Sequence, residues 1–310
     1  NGTSALGAAL MATGMQPGDE IITSPFSFFA SAEVIAILGA KPVFVDIDPL
    51  TYNLDHRLLE QAITDKTRAV MPVSLFGQPA EMREINQIAE RHNLSVIEDG
   101  AQSFGASHHG RRSGGLSTIG CTSFFPSKPL GCFGDGGACF TDDDELAHNL
   151  RSIVNHGQEK RYLHTRLGFN GRLDSMQAAV LLHKIAIFEE ELRLRQALAD
   201  FYANQLDSCV QLPHVLPHNT SNYAQYTIQV SDRDQVQAAL AERGIPTAVH
   251  YPLGLHQQPA IEKLGFNYPS YPVCEQAANR VLSLPFYPHM PFSDVEKVAE
   301  AVKAVCTVSV

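Results

Sequence analysis

Residues 82–99 read MREINQIAERHNLSVIED, and this stretch decides the fold. Met82 to Arg91 sets Ile85, Ile88 and Ala89 on one face of an amphipathic helix. Leu94 to Glu98 is a short apolar run, the signature of a buried strand. A helix that feeds a buried strand is half of a strand–helix–strand unit, and the neighbouring sequence repeats it. Upstream, Thr3 to Ala12 reads as a helix behind a Gly2-Thr3-Ser4 turn. Pro17-Gly18-Asp19 then breaks the chain, and Glu20 to Thr23 opens an extended segment. Ser31 to Leu38 is helical in pattern, while Lys41 to Ile47, Ala69 to Leu75 and Thr122 to Phe125 are strand-like. This alternation predicts an α/β domain whose mostly parallel sheet has helices on both faces.

Asp174 to Leu206 lacks Pro and Gly and is rich in Ala, Leu, Glu, Gln and Arg, which favours one long helix or two in succession. It is expected to bridge two domains. Beyond it, Ala224 to Val230, Gln235 to Glu242, Thr247 to Tyr251 and Asp294 to Val305 read as a smaller α+β unit. The expected division is a large domain over 1–190 and a small one over 191–310.

Composition narrows the function classes. The 310 residues are 44% apolar and 18% charged, as in a soluble globular protein, and carry a net charge of −10. An acidic chain is a poor binder of nucleic acid, which needs a basic surface. Backbone donors and a few Arg still permit a phosphorylated ligand. The six cysteines form no C-x-x-C, and Cys/His spacing suggests no metal site. Reduced thiols, with no transmembrane-length run and no signal peptide, point to the cytoplasm and away from a membrane. The start at NGTSAL, without Met, suggests a preceding segment.

Three features carry chemistry together that none carries alone. Gly2-Thr3-Ser4 at a helix N-terminus offers N–H groups and a favourable dipole to a phosphate, though an ordinary helix cap is the commoner explanation. Val96-Ile97-Glu98-Asp99 ends a strand on two acids, where open α/β sheets bind ligands; a solvated acidic pair explains it equally. Ser123-Phe124-Phe125-Pro126-Ser127-Lys128 precedes Gly131, Gly134, Gly136 and Gly137, which suggests a flexible loop around a bulky ligand; single lysines are mostly surface residues. Pyridoxal phosphate (PLP) would use all three. Its phosphate takes the helix N-terminus, its pyridine nitrogen a carboxylate, and its aldehyde a lysine amine.

On these residues the chain resembles the DegT/DnrJ/EryC1/StrS family of sugar aminotransferases, a fold type I PLP group resembling aspartate aminotransferase. The stretches that carry the resemblance include NGTSAL, PGDEIITSPFSFFASAEVIAILGAKPVFVDIDPLTYNLD, VIEDGAQSFGA, CTSFFPSKPLGCFGDGGACFTDD and LGFNGRLDSMQAA, so it covers nearly the whole chain. It implies that Lys128 is the Schiff-base lysine and the proton carrier, and that Asp99 pairs with the pyridinium. Gln102 lies beside the phenolic oxygen and Phe28 stacks on the ring. Gly2, Thr3, Ser4 and Ser123 contact the phosphate. Asn170 reaches the phosphate from the neighbouring subunit, which requires a homodimer. Phe28 stands where Trp or Tyr is commoner, and Gly100 where Ala is usual. A dehydratase branch carries His at the lysine position, and Lys128 argues against it.

SFFPSKPLGCFGDGGA and AVHYPLGLHQQPA resemble a subgroup that aminates UDP-2-acetamido-2-deoxy-3-oxo-glucuronate at C3 for surface polysaccharides such as the O-antigen of lipopolysaccharide. The implied amino donor is glutamate, with pyridoxamine phosphate (PMP) as the intermediate cofactor form. Arg172, His250 and Tyr251 are the candidate substrate contacts. An Arg fork suits a C6 carboxylate, although Arg172 would serve equally in an intersubunit salt bridge and His250-Tyr251 in a packed strand. The alternatives are a dTDP- or UDP-4-keto sugar as substrate, or a catalytically idle scaffold or regulatory relative. A nucleotide-binding reductase is disfavoured, because no G-x-G-x-x-G follows an early strand.

Overall fold

The computed structural model describes residues 1–206 and 209–306. The first half runs α1 (Gly2–Ala12), β1 (Glu20–Thr23), α2 (Ala30–Ile37), β2 (Lys41–Phe44), the single turn α3 (His56–Leu59), β3 (Thr67–Met71), α4 (Met82–Arg91) and β4 (Ser95–Asp99). The small hairpin β5 (Ser107–His108) and β6 (Arg111–Arg112) follows, then β7 (Ile119–Ser123), β8 (Gly137–Phe140) and α5 (Asp144–Ile153). Six of these strands form one sheet in the order β2-β1-β3-β4-β7-β8. It is parallel except for β8, which runs antiparallel to β7.

Strand alternation explains how both faces are covered. Ile21, Met71, Ile97 and Ile119 point to one side and pack against Leu6 and Leu10 of α1, Ile35 of α2 and Ile153 of α5. Ile22, Val70 and Val96 point to the other and meet Met82, Ile85 and Ile88 of α4. The amphipathic face read from residues 82–91 is therefore the face that α4 buries. Burying each such Ile or Leu contributes about 1.5–3 kcal/mol.

The second half comprises the hairpin β9 (Gln158–Lys160) and β10 (Leu163–His164), α6 (Ser175–Leu206), β11 (Tyr226–Gln229), α7 (Arg233–Glu242), the single turn α8 (Pro259–Glu262), α9 (Pro272–Arg280), β12 (Val281–Leu284) and α10 (Phe292–Cys306). The long helix α6 is continuous over 32 residues. Its first half packs Leu181 and Phe188 against Phe124 and Leu130. Its second half packs Leu198, Tyr202 and Leu206 against β11, β12 and α10. Residues after α7 fold back over the carboxyl ends of the sheet strands. There Leu255, Ile261 and Cys274 meet Phe26, Phe44 and Phe76. Asp46 fixes this return by accepting hydrogen bonds from the Val273 and Cys274 amides, 3.0 and 2.9 Å, at the α9 N-terminus.

Several elements differ from the sequence expectation. Asn1 caps α1 through its side chain, which accepts from the Ser4 amide at 2.8 Å, so the helix starts at Gly2. Gly2-Thr3-Ser4 is thus the first turn of the helix, not a turn before it. Strand β7 ends at Ser123; the Phe124 amide instead donates to Gly136 and its carbonyl accepts from Cys132, which closes a loop. Strand β8 begins at Gly137, the last residue of what reads as a glycine loop. Thr247 to Tyr251 is not a strand, and only Ala248 bridges to Ser283. Among the described residues, no helix is long and apolar enough to cross a membrane.

Candidate active site

The carboxyl edge of the parallel strands gathers the chemistry. Strand β4 delivers Glu98 and Asp99 there, β7 delivers Ser123, and the N-terminus of α1 lies beside them. Successive side chains on a strand point to opposite faces, so the two acids part company. Both are buried, which removes the solvated-pair explanation. Glu98 accepts from Ser74 Oγ at 2.9 Å, Ser113 Oγ at 2.7 Å and the Gly114 amide at 2.7 Å. It is a structural anchor. Asp99 faces the site with fewer partners: Ser31 Oγ donates to Oδ2 at 2.8 Å and the Ala101 amide to Oδ1 at 3.2 Å.

Lys128 shares this environment. Its backbone amide donates to the Phe125 carbonyl at 2.8 Å, which closes a turn. Its Nζ has no hydrogen-bond or ion-pair partner among the described residues. Burial holds the lysine amine below its usual range, and the Asp99 charge partly opposes that. Burial likewise pushes the Asp99 carboxyl up, against the hydrogen bonds from Ser31 and Ala101 and the charge of Lys128. Each group is pressed towards its neutral form by the loss of water.

The glycines of the lysine loop serve close approach. None of Gly131, Gly134, Gly136 and Gly137 has a positive φ, so left-handed backbone is not what calls for them. A Cβ at Gly137 would lie 2.6 Å from the Asn1 carbonyl carbon, so this glycine lets β8 reach the start of α1. A Cβ at Gly2 would lie 2.9 Å from Ser123 Cβ, so the helix N-terminus and the end of β7 are in contact. The Gly2 and Thr3 amides have no hydrogen-bond partner among the described residues. Free first-turn N–H groups beside a serine are the donors an anion needs.

Residues from the distant second half complete the near wall. Gln102 accepts from the Phe76 amide at 2.8 Å and donates to Tyr251 Oη at 3.2 Å. Phe28, 58% exposed, lies 6.3 Å from the Tyr251 ring. His250 bonds Ser283 Oγ at 2.9 Å; burial, and then the positive charge of Lys128, hold it below its usual range. Burial raises Tyr251, and Asp99 adds to that. The structure therefore brings Gly2, Thr3, Ser4, Ser123, Lys128, Asp99, Gln102, Phe28, His250 and Tyr251 to one edge. It does not bring Asn170 or Arg172 there. Both are exposed; Asn170 bridges to Asn155, and Arg172 donates to Asn155 Oδ1 at 2.9 Å.

A family model described as the DegT/DnrJ/EryC1/StrS aminotransferase family matches residues 1–303. The chain belongs to this family. Among its relatives, a Pseudomonas aeruginosa protein named UDP-2-acetamido-2-deoxy-3-oxo-D-glucuronate aminotransferase is 54% identical over 97% of this chain and 83% of its own. A Geobacillus stearothermophilus protein named pleiotropic regulatory protein is 47% identical, again over 97% and 83%. The crystal structure of NtdA from Bacillus subtilis with bound cofactor PMP superposes at a TM-score of 0.90, with 32% identity, covering 99% of this chain and 72% of that one.

The aminotransferase also holds site residues that the sequence reading passed over. Ser31 touches Asp99 directly, and Ser27 Oγ lies 2.9 Å from Ser31 Oγ. Their spacing of four in SFFAS, on a helical pattern, was the available signal. Asn222 donates to the carbonyls of Gln102 and Phe104, both at 2.9 Å. Lys184 Nζ donates to the Gly131 carbonyl at 2.5 Å and holds the lysine loop from α6. Neither contact has a local sequence signal, because the partners lie more than fifty residues apart.

Proposed function

We propose that this aminotransferase moves an amino group from glutamate to C3 of UDP-2-acetamido-2-deoxy-3-oxo-glucuronate, with PLP carried on Lys128. The observation that carries the reading is the joint placement of Lys128, Asp99 and the α1 N-terminus at one sheet edge. The residues fit the cofactor. Asp99 is a buried carboxylate short of a cation, Lys128 a buried amine without a partner, and α1 a helix with free N–H groups. PLP, when bound, supplies a sink for the negative charge left at the donor's α-carbon.

The chain's own residues do the rest. Lys128 holds the cofactor covalently through Nζ. Once displaced, that amine takes the proton from the amino donor and later returns one to the sugar carbon. Burial favours its neutral form, as a general base requires. Asp99 keeps the pyridine nitrogen protonated. Gly2, Thr3, Ser4 and Ser123 would hold the phosphate, with Phe28 and Gln102 as the candidates to hold the ring. Asn170 and Arg172, exposed here, act in the site of a second subunit of a homodimer. Arg172, His250 and Tyr251 contact the sugar, with Arg172 on the C6 carboxylate. The large PLP-binding domain ends within α6 at residue 190. Cys121 and Cys139 face each other as thiols at 4.0 Å, which suits a cytoplasmic enzyme.

The regulatory relative keeps an idle or regulatory role as the second reading. Turnover with glutamate against a panel of UDP- and dTDP-linked 3-keto and 4-keto sugars, with and without a C6 carboxylate, tests both. Fastest amination of the 3-keto uronate is expected. Equal rates without the carboxylate would remove the role given to Arg172, and no turnover on any sugar would favour the idle reading.

A further inference from the structure

We propose that the turn of the β5–β6 hairpin and His218 form a binding site for one divalent transition-metal ion of the Zn2+ type. His108, His109 and His218 each place a ring nitrogen within 4.8 Å of the others. The three come from two segments more than a hundred residues apart, which is why spacing along the chain gives no zinc signal. His109 stacks on His218 with ring centroids 4.5 Å apart and planes 6° apart, and His108 stands edge-on to both.

The surroundings suit a cation. Glu81 Oε1 lies 2.9 Å from His218 Nε2, the carboxylate–imidazole pairing that orients a ligating ring through its other nitrogen. The Glu84 carboxyl is within reach of Glu81, and its Oε2 is buried with no hydrogen-bond partner among the described residues. Three imidazole nitrogens, with water in the fourth position, are a donor set that Zn2+ accepts, and the carboxyls add negative charge beside it. His108 is already oriented as a ligand would be. Its Nε2 accepts from the Arg83 amide at 3.2 Å, so Nδ1 carries the proton and donates to Asn219 Oδ1 at 2.7 Å. A metal at Nε2 would replace a long hydrogen bond. Nitrogens around a tetrahedral zinc lie about 3.3 Å apart and each ligating lone pair lies in its ring plane, so the exposed His109 ring must turn out of its stack on His218 for both to reach one ion.

The hairpin turn positions His109. This residue occupies φ +47, followed by Gly110 at φ +78. Histidine is among the residues that tolerate this backbone, and the turn is what sets His109 beside His108 and His218. The ion would clasp the α4 N-terminus and the hairpin to residues 218–222. Asn222, in that segment, holds Gln102 in the site.

Calorimetric titration of ZnCl2 into the cofactor-loaded protein, in a non-chelating buffer, tests the proposal. One saturable Zn2+ site per chain is expected. His218→Ala and His109→Gly should each weaken it at least about tenfold. His109→Gly suits the left-handed turn, so without metal it should melt no lower than wild type, and a misfolded variant cannot account for the loss. Zn2+ should raise the melting temperature of wild type and not of His109→Gly. No saturable binding, Zn2+ affinity unchanged in both variants, or equal binding of Mg2+ overturns the site.

Discussion

The loop 123–137 and the arm 154–174 are near neighbours in the sequence and are tied to the fold to different degrees. The loop exposes Phe125 and Phe133 but is anchored from within: Leu130 and Cys132 are buried, Cys132 Sγ reaches the carbonyls of Phe124 and Gly134 at 2.9 Å, and Lys184 ties Gly131 to α6. The arm packs Val154 and Phe169 against the core but turns Tyr162, 80% exposed, and Leu167, 86% exposed, outward, and its Asn170 and Arg172 are exposed as well. Apolar surface rimmed by polar groups is what a partner covers. The lysine side of the site is held by contacts of its own chain, and the proposed homodimer would set the arm against another copy.

That contrast sets the expected sizes of effect. Lys128→Ala removes the group given both covalent and proton-transfer work, so transamination should fall by about 10³-fold or more. Activity near wild type would break the contrast at its strongest point.

Asp99→Asn comes next, with a loss of about 10²-fold or more in the cofactor-loaded enzyme. Without cofactor the same change should stabilise. Burial raises the Asp99 carboxyl above its unfolded value, so its ionised form costs stability above the folded-state pKa. That cost shrinks as pH falls through the folded-state pKa and is gone below the unfolded one. Thermal melts of the apoprotein should therefore favour Asp99→Asn at pH 7 and show no difference in acid. A variant less stable at pH 7 would contradict the burial argument.

Asn170→Ala should weaken PLP binding by roughly tenfold, the loss of one hydrogen bond to a charged group. Mixing it with Lys128→Ala separates the two regions. If the arm serves the other subunit's site, mixed dimers regain one intact site and up to roughly a quarter of full activity. No recovery would place Asn170 in its own chain's site. Ser31→Ala should have the smallest effect, a few-fold loss of PLP affinity from the lost hydrogen bond to Asp99, largely restored by Ser31→Thr.

The same contrast marks what was legible in the sequence. The core of the sheet was, because β4 and α4 declare themselves through local periodicity, and α4 falls at Met82–Arg91 as expected. Strand β8 was not: its glycines look like a loop, and only the tight approach of α1 to Gly137 shows why a strand starts there. His250 and Tyr251 end a segment whose pattern suggests a strand that the fold does not form. Their approach to Lys128 depends on the return of the chain over the sheet edge, which Asp46 fixes through contacts 227 and 228 residues away. Lys128 itself was a lysine in a turn until Asp99 and the α1 N-terminus gave it neighbours.

The most direct test is borohydride reduction of the PLP-loaded protein followed by peptide mapping. The account predicts the reduced cofactor on a single peptide, attached to Lys128. Attachment to another lysine, or to none, would contradict it.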